Sequence, residues 1–178
     1  NQSKDIHIPV STRETNVFFV NQDGRLNNVS RGSGLDLLGN SRSAAYLDID
    51  GDGDLDIALN NYHEQARIFR NDSAPEDNAW LKVKLEGAPT RGVNRDAIGA
   101  RLILRTADGN IVWREIHGSS GYMTVQPKQQ HFGLGNQDSA ALEVIWPNGE
   151  RQLFKNIEAN QAVHIQYGES EPRKVAHP

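Results

Sequence analysis

The sequence predicts an all-β protein, and three observations lead to that prediction. Apolar and polar residues alternate in short runs, and no run keeps a helical period. Turn-forming residues are frequent, with 16 Gly and 7 Pro in 178 residues. The predicted strands recur about every ten residues, a spacing typical of antiparallel sandwiches.

Composition excludes several classes of protein. Hydrophobic residues make up 37% and charged residues 24%, which leaves enough apolar content for a folded core. No apolar run approaches the roughly 18 to 20 residues that span a bilayer, so we expect no membrane span. The chain has no Cys, which excludes disulfides, thiolate zinc sites and cysteine nucleophiles. A net charge of −4 provides no basic face, and we expect no nucleic-acid partner.

The N-terminal region of the chain predicts short strands around an acidic loop. Residues 16–21 and 25–30 form a predicted hairpin, because Asp23-Gly24 between them favours the positive φ angles of a tight turn. Residues 31–43 are rich in Gly and Ser and are predicted as a loop. The remaining predicted strands span residues 44–49, 56–61 and 66–70, and residues 71–78 have the composition of a linker.

The C-terminal region alternates more clearly. Residues 80–86 place Leu81, Val83 and Leu85 on one face of a strand and four polar or aromatic residues on the other. An Asn148-Gly149 pair between two apolar runs predicts a hairpin. The other predicted strands span residues 100–105, 111–117, 142–146, 151–154 and 161–167.

We predict a domain boundary near residue 79. Residues 1–79 carry a net charge of −6, whereas residues 80–168 carry +2. The C-terminal region is predicted to be an antiparallel β-sandwich-like domain. Residues 169–178 are predicted to be a flexible tail.

The densest chemistry lies in the acidic loop, Asp48-Ile-Asp50-Gly-Asp52-Gly53-Asp54-Leu-Asp56. Its five carboxylates repel one another unless a cation or solvation relieves the repulsion. Hard oxygen ligands at every second position, with Gly53 at the sixth for a sharp bend, are typical of a calcium loop. We expect Ca²⁺ to be bound by the carboxylates of Asp48, Asp50, Asp52 and Asp56 and by the backbone carbonyl of Asp54.

Other interpretations of this loop compete with calcium binding. An EF-hand does not fit, because its twelfth position requires a bidentate Glu and Leu59 stands there, while the flanks are β-like. A solvated acidic turn without a metal remains open, as does a catalytic carboxylate pair. Such a pair requires two carboxyl groups about 5–9.5 Å apart across a cleft, and the sequence indicates no cleft.

Several motifs resemble those of a known family. The acidic loop with its apolar flanks resembles the FG-GAP/VCBS repeat, which forms a β-propeller blade with calcium between two strands. The C-terminal region resembles the ASPIC/UnbV domain through Trp80-Leu-Lys-Val-Lys-Leu, Asn94-Arg-Asp-Ala-Ile-Gly-Ala-Arg101, Gly118-Ser-Ser-Gly-Tyr122, His131-Phe-Gly-Leu-Gly135 and Val144-Ile-Trp-Pro-Asn-Gly149. Repeats followed by this domain are the order found in the cartilage acidic protein family and its bacterial relatives.

The resemblance implies an architecture and a location. Residues 1–79 would form one or two partial propeller blades, completed by upstream blades or by a second copy, and the chain would be the C-terminal portion of a longer protein. Family resemblance also implies a secreted or cell-surface protein, periplasmic or extracellular in a bacterium. Its partners would be protein or glycan ligands of the cell surface or matrix.

Arginine residues and one histidine are further candidates. Arg95, Arg101 and Arg105, with Arg114, form either a polyanion-binding face or solvated outward positions on strands. His131 fits a structural histidine that bonds a turn better than a metal ligand or a base, because the six His show no metal-ligand spacing.

The sequence favours a non-catalytic function. It has a full set of calcium ligands but no nucleophile elbow or cofactor loop. We therefore predict a calcium-binding extracellular interaction or adhesion module that is not an enzyme. The alternative is a glycan-active or polyanion-binding accessory domain of a secreted enzyme.

Overall fold

The computed structural model describes residues 14–72 and 78–176, and these residues form an all-β structure. This confirms the predicted fold class. Within these ranges the single helical element is a 3₁₀ turn at Pro89–Arg91. Accordingly, the described residues contain no helix with the length and apolar character needed to cross a membrane.

The strands of residues 14–72 are short and form three small sheets. They are β1 (Glu14–Thr15), β2 (Phe19–Gln22), β3 (Arg25–Asn28), β4 (Leu38–Gly39), β5 (Ser41–Leu47), β6 (Asp56–Asn61) and β7 (Arg67–Phe69). Strand β1 pairs with β4, β2 forms a hairpin with β3, and β5, β6 and β7 form a three-stranded antiparallel sheet. The β2–β3 hairpin turns as predicted, with positive φ angles of 51° at Asp23 and 80° at Gly24.

Residues 31–43 differ from the predicted loop, because they contain β4 and the beginning of β5. Along β5 the side chains alternate between half-buried and exposed from Ser41 onwards. The Ser41 hydroxyl donates a hydrogen bond to Asn61 Oδ1 on the neighbouring strand, at 2.9 Å. Small polar residues therefore carry a strand periodicity here, which a prediction based on Gly and Ser content overlooked.

A side chain from the C-terminal region covers the outer edge of β5. Gln126 Oε1 accepts a hydrogen bond from the Tyr46 backbone N–H at 2.9 Å, and Gln126 Nε2 donates to the Ala44 carbonyl at 3.2 Å. The side-chain amide thus takes the place of a peptide group in a neighbouring strand.

Residues 78–176 form two four-stranded sheets. Their strands are β8 (Ala79–Glu86), β9 (Arg101–Thr106), β10 (Ile111–Glu115), β11 (Gln130–Gly135), β12 (Ser139–Ile145), β13 (Arg151–Glu158), β14 (Gln161–Gln166) and β15 (Arg173–Val175). One sheet has the order β10-β9-β12-β13 and the other β11-β8-β14-β15. The predicted hairpin at Asn148-Gly149 joins β12 to β13, with Gly149 at a φ angle of 89°.

The prediction of a purely antiparallel sandwich is wrong for a single strand pair. Strand β14 runs parallel to β8, with Val163 opposite Val83. All four strands of the other sheet lie between β8 and β14 in the chain. This long connection brings the chain back to the starting end of β8, so that β14 runs in the same direction as β8. Parallel neighbours require such a crossover, and local alternation in a sequence does not reveal which distant strand becomes the neighbour.

The inner faces of the two sheets share one hydrophobic core. The face of β8 predicted to point inward is buried, with Leu81 and Val83 fully enclosed. Across the sandwich, Leu102, Leu104, Leu142 and Val144 belong to the same cluster, as do Phe132, Trp146 and Ile165. Packing of two apolar faces, rather than any single contact, therefore holds the sandwich together.

Two strands of the sandwich were missed. The glycines of β11 concealed the alternation of Phe132 and Leu134, because Gly normally weakens a strand. Strand β15, Arg173–Val175, lies in the segment predicted as a flexible tail and pairs with β14. It is a short polar edge strand, so the alternation that signals a strand is absent from its sequence.

Two leucines on adjacent strands test the position of the core. Leu142 on β12 is fully buried, whereas Leu153 on β13 is 56% exposed. We expect Leu142→Ala to lower the free energy of unfolding by about 2–5 kcal/mol, because it leaves a cavity. Leu153→Ala should change it by no more than about 0.5 kcal/mol. Urea denaturation of both variants measures the difference, and equal losses would contradict the assignment of the core.

Candidate metal centre

The acidic loop connects β5 to β6, and the pairing of these strands fixes its two ends. Leu47 lies opposite Asp56 in the antiparallel register, so the first and last aspartates of the loop are brought together. Gly51 and Gly53 have φ angles of 84° and 103°. Residues other than Gly rarely adopt such φ angles. These two glycines therefore let the chain reverse its direction between the strands.

Three of the five predicted carboxylates converge at this reversal. One oxygen from each of Asp48, Asp50 and Asp56 lies within 4.8 Å of the others. Three oxygens at this separation could hold one hard cation, since Ca²⁺ takes oxygen ligands at about 2.3–2.6 Å. Asp56 is buried and Asp50 is exposed, so the cluster has one closed side and one open side.

Backbone N–H groups hold the two buried carboxylates in place. Asp48 accepts hydrogen bonds from the N–H groups of Gly51 and Gly53, at 2.6 and 2.9 Å. Asp56 accepts from Ile49 at 2.7 Å and from Asn71 at 2.8 Å. These carboxylates therefore shape the loop as well as converge in it, and the backbone donors hold their positions.

A lysine from the sandwich neutralises Asp48. The Lys82 ammonium on β8 forms an ion pair with Asp48 Oδ2, and both side chains are almost completely buried. Burial by itself would raise the pKa of the Asp48 carboxyl. Lys82 and the two backbone donors outweigh that effect and hold the pKa below its ordinary value.

Asp52 and Asp54 lie outside the converging group. Asp52 accepts a hydrogen bond from the Asp54 backbone N–H at 3.0 Å. Both carboxylate oxygens of Asp54 are buried without a hydrogen-bond partner. Burial and the neighbouring Asp52 carboxylate raise the pKa of Asp54 to about 6. The loop thus retains negative charge that its own hydrogen bonds leave uncompensated.

The tip of the loop is seated on the sandwich. The His131 ring donates from Nε2 to the Gly53 carbonyl at 2.7 Å. Burial lowers the pKa of His131, which favours the neutral ring. The Trp80 indole lies directly over Gly53, so closely that a Cβ atom at this position would overlap the ring. The interpretation of His131 as a structural residue that bonds a turn agrees with this contact.

Lys82 and Trp80 are the contributors that sequence reasoning missed. Both lie on the face of the predicted strand opposite Leu81, Val83 and Leu85, and no partner was predicted for that face. In the structure the acidic loop covers the Trp80 and Lys82 end of this face, so Lys82 is buried whereas Lys84 is exposed. No local signal identifies the contact, because Asp48 and Lys82 are 34 residues apart.

The predicted arginines Arg95, Arg101 and Arg105 each lie beside a carboxylate. Arg95 pairs with Asp96 at 3.2 Å, Arg101 with Glu115 at 3.3 Å, and Arg105 with Glu143 at 3.2 Å. Arg151 also pairs with Glu143, and the two arginines keep the pKa of that carboxyl low. Much of their positive charge is therefore compensated within the fold.

The sequence is similar to a known domain family and to several known proteins. Residues 90–172 match the family described as ASPIC and UnbV. The sequence is 30% identical over 155 residues to cartilage acidic protein 1 of Homo sapiens, an alignment covering 84% of this chain and 22% of that protein. For the Mus musculus protein of the same name the identity is 30% over 156 residues, with 85% and 23% covered. For the Xenopus tropicalis protein it is 32% over 134 residues, with 72% and 20% covered.

These matches extend beyond the sandwich. An alignment over 84% of this chain necessarily includes the acidic loop as well as most of residues 90–172. The chain spans about a fifth of the length of the curated relatives it matches. The resemblance to the ASPIC/UnbV domain, predicted from its motifs, is confirmed.

The ion pair between Lys82 and Asp48 can be tested against a neighbouring lysine. We expect Lys82→Met to reduce the free energy of unfolding by about 3–5 kcal/mol in the presence of chelator, because it leaves a buried carboxylate without its cation. Lys84 lies on the same strand but is exposed, so Lys84→Met should have little effect. Equal urea midpoints for the two variants would show that the pair does not stabilise the fold.

The close approach of Trp80 to Gly53 can be tested with a second glycine. Gly53→Ala introduces both a strained φ angle and an overlap with the indole. Gly109 also has a positive φ angle but open space around it, so Gly109→Ala carries only the backbone strain, about 1–2 kcal/mol. We expect thermal melts to show a clearly larger loss for Gly53→Ala. Similar losses would mean that the loop moves away from Trp80 at little cost.

Proposed function

Because residues 90–172 match the ASPIC and UnbV family, we propose that this chain is a calcium-binding, non-catalytic interaction module of an extracellular protein. The observation that carries the proposal is the convergence of Asp48, Asp50 and Asp56 within 4.8 Å. Similarity to cartilage acidic protein 1 supports an extracellular role. We propose adhesion as the form of that role.

We propose that the ion is Ca²⁺. Carboxylate oxygens are the ligands it prefers, and its flexible coordination tolerates a loop of this kind. Asp48, Asp50 and Asp56 would hold it directly. The Asp52 carboxylate and the Asp54 backbone carbonyl would complete the set on the open side of the loop. The Asp54 carboxylate is buried without a hydrogen-bond partner. A divalent cation would offset the repulsion between this carboxylate and its acidic neighbours.

Calcium binding would stiffen the contact between the acidic loop and the sandwich. The loop meets the sandwich through Lys82, His131 and Trp80. Fixing the loop with a cation therefore fixes the surface on which β5 and β6 meet β8 and β11. In this proposal residues 1–79 and 80–168 are separate units, and the ion is structural at their junction.

The partners we propose are proteins or glycans of the cell surface or matrix. Residues 1–79 would belong to one or two propeller blades, completed by upstream blades of a longer chain or by a second copy. Exposed apolar side chains in and beside their strands support a covered surface there, with Val17 62%, Phe19 49% and Leu26 69% exposed.

A structural role for the aspartates is favoured over a catalytic one. A general base needs a lone pair free to accept a proton from substrate, whereas the oxygens of Asp48 and Asp56 accept bonds from backbone N–H groups. Screening with glycoside, ester and phosphoester substrates should therefore give only background rates. Turnover that a single Asp or His substitution abolishes would contradict the non-catalytic role.

Calcium should stabilise the folded chain. At a free concentration a hundredfold above Kd the gain is about 2.7 kcal/mol, so thermal melts in millimolar calcium should lie several degrees above melts in chelator. Asp50→Asn should remove most of this difference, because Asp50 is the exposed member of the converging group. Asp23→Asn is the matched control, since Asp23 lies in an exposed turn. Identical melts of the unmodified chain, with no calcium found by elemental analysis, would overturn the assignment.

A further inference from the structure

A groove runs along the junction between β5 and the sandwich. One cavity of about 440 Å³ lies between Tyr46 on β5 and the open side of the sandwich, where Arg114 and Gln130 line it. A second depression of about 550 Å³ shares these three residues and extends to Trp113 and His117. We call the surface formed by these two adjoining depressions the junction groove. The first cavity alone has a volume within the range of ligand sites, about 300–1,000 Å³.

Arg114 is the cation of the junction groove that the fold does not compensate. In the described residues no carboxylate lies within ion-pair distance of its guanidinium, whereas Arg95, Arg101, Arg105 and Arg151 each have an acidic partner. Lys82 also borders the groove but is paired with Asp48. Glu115 lines the groove as well but is paired with Arg101, at 3.3 Å. Arg114 is therefore the arginine of the groove that has no acidic partner among the described residues.

The guanidinium of Arg114 is held in position rather than free to swing into solvent. It lies over the Phe132 ring, 5.7 Å from the ring centre. One of its nitrogens donates to the Trp113 carbonyl at 3.1 Å. Other N–H groups of the fork remain available, and a positioned guanidinium is suited to a carboxylate, which it binds through two parallel hydrogen bonds.

Beside these charged groups the junction groove has an aromatic ring and side-chain amides. The Tyr46 side chain is 51% exposed. Gln129 and Gln130 add side-chain amides, each able to donate and to accept hydrogen bonds. Flat aromatic faces with a few amides suit a ligand that has both apolar ring faces and many hydroxyl groups. A saccharide has this combination.

From this arrangement we infer that the junction groove binds an acidic oligosaccharide. A uronate carboxylate binds the Arg114 guanidinium, a neighbouring sugar ring stacks on Tyr46, and the glutamine amides bind hydroxyl groups. An acidic peptide fits less well, because its acidic side chains have no ring faces to stack on Tyr46 and no hydroxyl groups for the glutamine amides. This inference rests on the proposed function, because it names the class of glycan partner, but it does not depend on a metal in the acidic loop.

Calorimetric titration of the full chain with a galacturonate tetramer tests the inference. We expect measurable binding that weakens at least tenfold in Arg114→Gln and is partly restored in Arg114→Lys, which keeps the charge but loses the fork. Tyr46→Ala should also weaken binding. Arg151→Gln is the matched control, since Arg151 is an exposed arginine on the opposite edge of the same sheet, and it should bind as the unmodified chain does.

Two further probes separate charge from sugar chemistry. The methyl-esterified tetramer has the same rings without the carboxylate charge, and it should bind at least tenfold more weakly. A hexaglutamate peptide should bind more weakly than the galacturonate tetramer. Equal affinity of Arg114→Gln and the unmodified chain, equal affinity for the methyl ester, no binding of the tetramer, or tighter binding of the peptide would each overturn the inference. Calcium-dependent melts of the same variants report the metal loop separately.

Discussion

The aspartates of residues 48–56 repel one another. The packing of the acidic loop against the sandwich depends on how this repulsion is compensated. Carboxylates this close cannot remain buried unless donors or cations compensate them. The fold meets this requirement in two ways. Backbone N–H groups of the loop and of Asn71 bond to Asp48 and Asp56. The remaining compensation comes from outside the loop, because the Lys82 ammonium reaches Asp48 from the sandwich.

That second source of compensation joins the loop to the sandwich. Burying a charged lysine costs desolvation free energy, which only a close and buried partner offsets. Lys82 and Asp48 therefore require each other. Gly53 and Trp80 meet beside this pair, and the absence of a side chain at Gly53 permits the contact. The neutral His131 ring then satisfies the Gly53 carbonyl. The ion pair, the Gly53–Trp80 contact and the His131 hydrogen bond together fix the orientation of the acidic loop against the sandwich.

Local patterns in the sequence predicted much of this structure, and long-range contacts account for most of what they missed. The alternation of β8, the turn at Asp23 and the hairpin at Asn148 all depend on residues that are close in the chain, and each was predicted. The parallel pairing of β14 with β8 depends on residues about 80 positions apart, for which alternation holds no information. The same is true of Lys82, because outward-facing and loop-facing positions on a strand have the same period. At the acidic loop, spacing identified the residues, but only the fold distinguishes the converging Asp48, Asp50 and Asp56 from Asp52 and Asp54.

The side-chain amide of Gln126 on the edge of β5 determines which edge of the three-stranded sheet can accept another strand. A strand added beside Ala44 and Tyr46 would have to displace this amide and give up both of its hydrogen bonds. On the opposite edge, β7 has no further strand beside it in the described residues, and its Ile68 side chain is 67% exposed. Sheet edges of this kind accept strands from other chains unless something blocks them. A single glutamine of the C-terminal region thus restricts extension of this sheet to the far edge, and a fourth strand would enter beside β7.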